Sequence, residues 1–130
     1  MQDVAHQEPA AKLRLGVSAC LLGEKVRFDS GHKLDHWVND VLGPFVEFVS
    51  VCPEVEIGLG VPRPTIRLEG SGSNVRLVAP KSGTDLTAKM TAYAEKRTTK
   101  LAKQSLCGFI LKKDSPTCGL ERVRLYDRNG

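Results

Sequence analysis

The chain has 130 residues, 41% of them apolar and 26% charged, which is the make-up of one ordinary globular domain and excludes a disordered or fibrous chain. Its 19 Lys and Arg against 15 Asp and Glu give a net charge of +4, a mild positive field that suits an anionic partner; at 5% aromatics there is no stacking platform of the kind single-strand binders use. No apolar run approaches the roughly 20 residues that span a bilayer and no charged-then-apolar leader opens the chain, so a cytoplasmic protein with no membrane partner is expected.

Residues 1–12 are polar and Ala/Gln-rich and are expected to form a flexible tail ahead of a single domain over residues 13–130. Residues 14–18 predict a short strand, with Leu15 and Val17 apolar, and 21–31 a loop punctuated by Gly23, Ser30 and Gly31. Leu34, Trp37, Val38, Val41 and Leu42 then follow the i, i+3, i+4, i+7, i+8 rule of one helical face, which puts Trp37 in the core. Gly43-Pro44 stops that helix, and residues 45–51 predict the second strand. Residues 52–60 read as loop or a short turn, and Pro62 and Pro64 exclude regular structure around Arg63. A short strand at 65–68, a turn at 69–74, a strand at 75–78 and a loop at 79–83 follow. Residues 84–105 predict the longest helix, with a stripe of Leu86, Met90, Tyr93, the stem of Arg97 and Leu101. Residues 107–111 predict a buried strand, 112–119 a loop and 123–126 a last strand. Strands alternating with helices predict an α/β fold, a small Rossmann-like sandwich with a mostly parallel sheet and helices packed on it.

The four cysteines acquire meaning on that fold. Cys20, Cys52 and Cys118 each follow a predicted strand, and in an open parallel sheet the loops after the strands emerge at one edge, where such folds build their sites. Cys107 opens a strand, belongs at the opposite edge and is expected to be a small buried hydrophobe. Without an export signal, disulfides are the weaker expectation, and the lack of any CxxC pair argues against a zinc ribbon. Spacing alone leaves three alternatives: unrelated buried thiols, a zinc site completed by His32, or a [4Fe–4S] cluster with one iron left open.

The surroundings of the thiols are suited to acid–base chemistry. Glu54 lies two residues after Cys52, Ser115 three before Cys118, and Lys112 and Lys113 precede Ser115 on the same loop. A carboxylate, a hydroxyl and an ammonium beside a metal form a workable set. Ser18, Arg63 and Arg67 are the candidate substrate-binding residues, the arginines as partners for a phosphate or a pyrimidine carbonyl. Their bland alternative is a surface ion pair; that of His32 is a polar residue at a helix start, and that of Ser115 a turn cap.

Four stretches taken together are specific: residues 17–23, VSACLLG; residues 26–33, VRFDSGHK; CPEV from Cys52 with Gly58-Leu59 and Pro62-Arg63-Pro64; and GFILK from Gly108 with SPTCG from Ser115. In this order they resemble the thiouracil desulfidase family over about residues 15–123. The resemblance implies a [4Fe–4S] cluster held by Cys20, Cys52 and Cys118, with the fourth iron open to the sulfur of a thiolated pyrimidine. It implies a non-redox replacement of C=S by C=O with release of sulfide, and catalytic roles for Glu54 and Ser115, with Lys112 and Asp29 beside them. Thiouracil or 4-thiouridine, free or in tRNA, is the implied substrate. The family domain usually runs further and some members add a helical domain associated with thiolated tRNA, so the chain is expected to be an excised domain or a naturally short relative.

Two other functions stand beside this one. A metal- or cluster-containing module could hold RNA or a partner without chemistry; Glu54 and Ser115 separate it from the enzyme. A nucleotide-binding Rossmann-like domain would need a Gly-rich phosphate loop after the first strand, and Gly16 and Gly23 are too far apart for one.

Overall fold

A three-stranded parallel sheet organises the half of the molecule that carries the cysteines. In the computed structural model, which describes residues 12–130, its strands are β1 (Leu13–Ser18), β2 (Val46–Val51) and β6 (Leu106–Ile110), in the order β2-β1-β6. The expected N-terminal tail lies, but for Lys12, outside the described residues. Between β2 and β6 in sequence come α1 (Pro53–Glu56), the strands β3 (Arg67–Ser71), β4 (Asn74–Ala79) and β5 (Thr84–Asp85), and the long helix α2 (Thr87–Ala102); β7 (Leu125–Tyr126) closes the order. The fold is α/β, as the alternation of strands and helices predicts.

Register fixes the working edge. Ser18 pairs with Val51 and Val17 with Ile110, so all three strands end side by side. Val17, Ser18, Ala19, Cys20 and Leu21 form a continuous buried run that carries β1 into the core, where Val38 packs against it. The close approach of β6 depends on Gly16, because a Cβ there would lie 2.2 Å from the Phe109 ring.

A second sheet, β5-β4-β3-β7, is absent from the sequence reading. The strands expected at 65–68 and 75–78 are the arms of one antiparallel hairpin, Arg67 pairing with Val78 and Ser71 with Asn74. The last strand adds to it in parallel, Leu68 opposite Leu125. The long helix begins at Thr87 rather than at 84 because Thr84 and Asp85 pair with Ala79 and Val78, and Asp85 Oδ1 then accepts the Thr87 N–H at 2.9 Å. Its stripe is as read: Leu86 is buried and Met90, Tyr93, Arg97 and Leu101 are the half-buried line.

Three further expectations need correction. Trp37 does not pack in the core; it is 60% exposed. The segment Trp37–Leu42 is a π-helix, whose i→i+5 turn is wider than that of an α-helix. The inward line becomes Leu34, Val38 and Leu42, and Trp37 and Val41 face out. Cys107 sits at the amino end of β6 as expected but is exposed rather than buried. Arg14 pairs with Leu106 and Leu15 with Gly108, so Cys107 is the unpaired residue of a β-bulge on an edge strand. Finally, the loop after Cys52 contains the short helix α1, started by Pro53 at its first position.

Candidate active site

Cys20 lies in a 3-10 turn (Ala19–Leu22) directly after β1, Cys52 directly after β2, and Cys118 in the loop after β6. All three line one cavity of about 200 Å3, together with Ser18, Glu54, Arg63, Lys112 and Ser115. Of the ten sequence-predicted site residues, only Asp29 and Arg67 lie elsewhere. Asp29 closes the turn before Gly31, whose N–H it accepts at 2.9 Å. Arg67 lines a neighbouring cavity of about 350 Å3, stacks on the Tyr126 ring at 4.8 Å and pairs with Glu69 at 2.8 Å.

Each loop is held by local chemistry. The turn from Ser115 to Gly119 is closed by the Gly119 N–H donating to the Ser115 carbonyl at 2.8 Å. Gly119 must lack a side chain, since a Cβ would stand 2.4 Å from Val123 and 2.7 Å from that carbonyl. Ser115 Oγ accepts the N–H groups of Thr117 and Cys118 at 3.3 and 3.1 Å, which turns Cys118 into the cavity mouth. Ser18, 1% exposed, accepts the Lys112 N–H at 2.9 Å and so ties the end of β1 to the start of this loop. The Cys52 N–H donates to Glu56 Oε2 at 2.9 Å, in the manner of the return arm of a capping box. Glu56 also accepts from the Tyr93 hydroxyl at 2.9 Å and pairs with Arg97 at 3.0 Å, so α2 braces the Cys52 loop.

Glu54 is the best-held polar group of the site. Its side chain is 14% exposed, and Oε1 pairs with Arg63 Nε at 3.0 Å, where Arg63 is itself only 4% exposed. Oε2 accepts the Thr117 hydroxyl at 3.0 Å. Arg63, expected to receive substrate, is thus the ion-pair partner of Glu54. Sequence reasoning gave Thr117, Glu56 and Arg27 no role. Thr117 stood inside a quoted motif, but nothing in spacing says that its hydroxyl reaches residue 54.

The thiols feel one another. Burial pushes the Cys20 thiol above its ordinary value and the neighbouring Cys118 and Cys52 add to this, while Lys112 and Arg27 pull the other way. Burial likewise raises Cys52, with Glu54 and Cys118 adding and the Val55 N–H and Arg63 opposing. The two cations beside Cys20 offset the charge that three thiolates would bring together. Among the described residues no group of three or more Cys, His, Asp or Glu is placed to hold a metal ion. His32 is exposed and accepts the Leu34 N–H at 3.0 Å, the role of a turn residue rather than of a fourth zinc ligand. Three soft thiol donors lining one cavity are, by their chemistry, of the kind that suits an iron–sulfur group taking one thiolate per iron.

The profile of a family described as 2-thiouracil desulfurase matches residues 15–130. The chain belongs to that family. A solved structure of a [4Fe-4S]-dependent thiouracil desulfidase, TudS, is 30% identical, superposes with a TM-score of 0.69, and covers 91% of this chain and 92% of its own. The uncharacterized protein YbbK of Bacillus subtilis is 29% identical over 108 residues, 79% of this chain and 71% of that protein. For a 2-thiouracil desulfurase family member, the parallel register that gathers three strand ends accounts for why Cys20, Cys52 and Cys118 can share a rim although up to 98 positions separate them. Among the described residues no helix is long and apolar enough to cross a membrane.

Proposed function

We propose that this chain is a [4Fe–4S]-dependent desulfidase that hydrolyses the C=S bond of a thiolated pyrimidine, thiouracil or 4-thiouridine, free or carried in tRNA. The carrying observation is that three thiols, a carboxylate, a hydroxyl and an ammonium line one cavity at the carboxyl edge of the parallel sheet. Cys20, Cys52 and Cys118 are the residues to hold the cluster. Bound there, it would supply an open iron, a soft Lewis acid with a preference for thiocarbonyl over carbonyl.

The rest of the reaction falls to the chain. Water adds through oxygen to the ring carbon, the carbon–sulfur bond breaks, sulfur departs as sulfide, and no electron is gained or lost. Glu54 takes the proton of the attacking water. Each carboxylate oxygen has two acceptor positions, so the bonds from Arg63 and Thr117 leave one on each oxygen for water. Ser115, whose oxygen accepts two backbone N–H groups, keeps its proton to donate to the ring. Lys112 supplies positive charge where sulfide develops, and Ser18 fixes the backbone from which Lys112 projects. Arg67 and Arg124 in the adjoining cavity, and the net charge of +4, suit a pyrimidine that carries a phosphate or a strand.

The test is anaerobic cluster reconstitution followed by incubation with 2-thiouracil, 4-thiouridine or thiolated tRNA, tracking sulfide and the loss of each near-ultraviolet thiocarbonyl band. Glu54→Gln is expected to keep the cluster absorbance and to lower sulfide release by about 10²–10⁴-fold, the usual contribution of a general base. Wild-type turnover by that variant would remove Glu54 from its role. A loaded wild-type protein that binds these compounds and releases no sulfide would leave the binding module in place of the enzyme.

A further inference from the structure

Thr117 carries a hydrogen-bond pattern that the reaction above does not explain. Its hydroxyl stands 3.0 Å from Glu54 Oε2 and 3.3 Å from Ser115 Oγ, and so lies between the two groups assigned to the chemistry, which come from loops 61 positions apart. The direction of the chain follows from donor counting. A carboxylate paired with Arg63 only accepts, so the single proton of Thr117 points at Glu54. Ser115 Oγ already accepts two backbone N–H groups, so before a substrate ring is there to receive it, its own proton is the one free to point at Thr117. The order is Ser115 to Thr117 to Glu54, with Arg63 closing the far side.

We infer that Thr117 is a positioning residue: it pins the second carboxylate oxygen of Glu54 and sets the rotor of Ser115, so that both face the cavity in one fixed relation. This rests on the desulfidase reading for what Glu54 and Ser115 do. Arg63 alone fixes one oxygen and leaves the carboxylate free to turn about it; a second contact from a different loop removes that freedom. The β-branched side chain of threonine restricts its own χ1, which makes it a stiffer strut than serine.

Thr117→Val keeps the shape and deletes both bonds. The expected result is a kcat for sulfide release lower by about 10–100-fold, the range for a misplacement of about 1 Å, with KM within roughly threefold of wild type. Thr117→Ser should restore kcat to within roughly threefold, and both variants should reconstitute with wild-type iron and sulfide content. Thr117→Ala serves in place of Thr117→Val should the latter fail to fold. A second arm needs neither cluster nor substrate: crystal structures of the cluster-free variants should show the Glu54 carboxylate rotated or split between rotamers in Thr117→Val and unmoved in Thr117→Ser. Wild-type kcat in Thr117→Val, no rescue by Thr117→Ser, or an unmoved carboxylate in the Thr117→Val crystals would each overturn the assignment. Should loaded wild-type protein release no sulfide, the desulfidase reading fails, and the crystallographic arm still decides whether Thr117 positions Glu54.

Discussion

At the carboxyl end of the three-stranded sheet, three cysteines surround a cavity, and the polar groups between them are tied to one another: Ser18 to the Lys112 backbone, Glu56 to the Cys52 backbone, Glu54 to Arg63 and Thr117. At the amino end of the same sheet, Cys107 projects from a bulge into solvent, and half-buried Arg14 pairs with exposed Glu47 at 3.7 Å. The strands are shared, so the difference comes from what their ends do. Parallel strands deliver all their outgoing loops to one rim, and only there can thiols distant in sequence meet. The number of cysteines does not mark a site; their position relative to strand direction does.

The sharpest way to break this contrast is to exchange the thiols one at a time. Cys20→Ser, Cys52→Ser and Cys118→Ser should each abolish iron–sulfur reconstitution, and Cys107→Ser should leave iron and acid-labile sulfide at wild-type content. Iron analysis after anaerobic reconstitution decides it. Loss of iron on removing Cys107, with retention on removing Cys118, would reverse the roles of the two ends.

A smaller effect separates the ends in stability. Ser18→Ala leaves the Lys112 N–H without its acceptor beside a fully enclosed β1 terminus, which costs about 1–3 kcal/mol. Glu47→Ala, at the amino end, removes the exposed arm of a long 3.7 Å pair and should change stability by less than about 0.5 kcal/mol. Chemical denaturation of the cluster-free protein measures both, and equal effects would mean that the two ends are held alike.

How much of this could be read from residues alone follows from the range of the interactions involved. The rim was legible because a strand's end and a loop's start are local signals, and parallel topology does the rest. The stripe Leu86, Met90, Tyr93, Arg97 and Leu101 was legible because helical period is local too. The second sheet was not, since the pairing of Leu68 with Leu125 joins segments whose meeting no local pattern announces. Trp37 was misplaced because hydrophobic spacing was referred to an α-helix, and a π-turn redirects the same side chains. The burial of Cys107 was inferred from an apolar strand; a one-residue bulge reversed it. Thr117 lay in plain view next to Cys118, but its reach to Glu54 depends on how two loops fold over the rim.

The finest distinction between the ends is chemical reactivity in the cluster-free protein. A thiol alkylates as its thiolate, so both exposure and ionisation count. Burial raises Cys20 and Cys52, which therefore hold their protons at neutral pH, and the Cys20 side of the cavity is also the more enclosed. With limiting iodoacetamide near neutral pH, Cys107 should be carbamidomethylated first, Cys52 later and Cys20 last, as read by peptide mass spectrometry. A raised value in the folded state means that the folded chain retains these protons when an unfolded chain would lose them. Labelling of Cys20 and Cys52 should therefore quicken only once the pH has passed above the ordinary thiol value. The same linkage makes the cluster-free fold lose stability in that alkaline range, because the unfolded chain releases protons that the folded one keeps. Faster labelling of Cys20 than of Cys107 at neutral pH would show that the rim is open and its thiols ionised, and would remove the enclosure on which the contrast between the two ends rests.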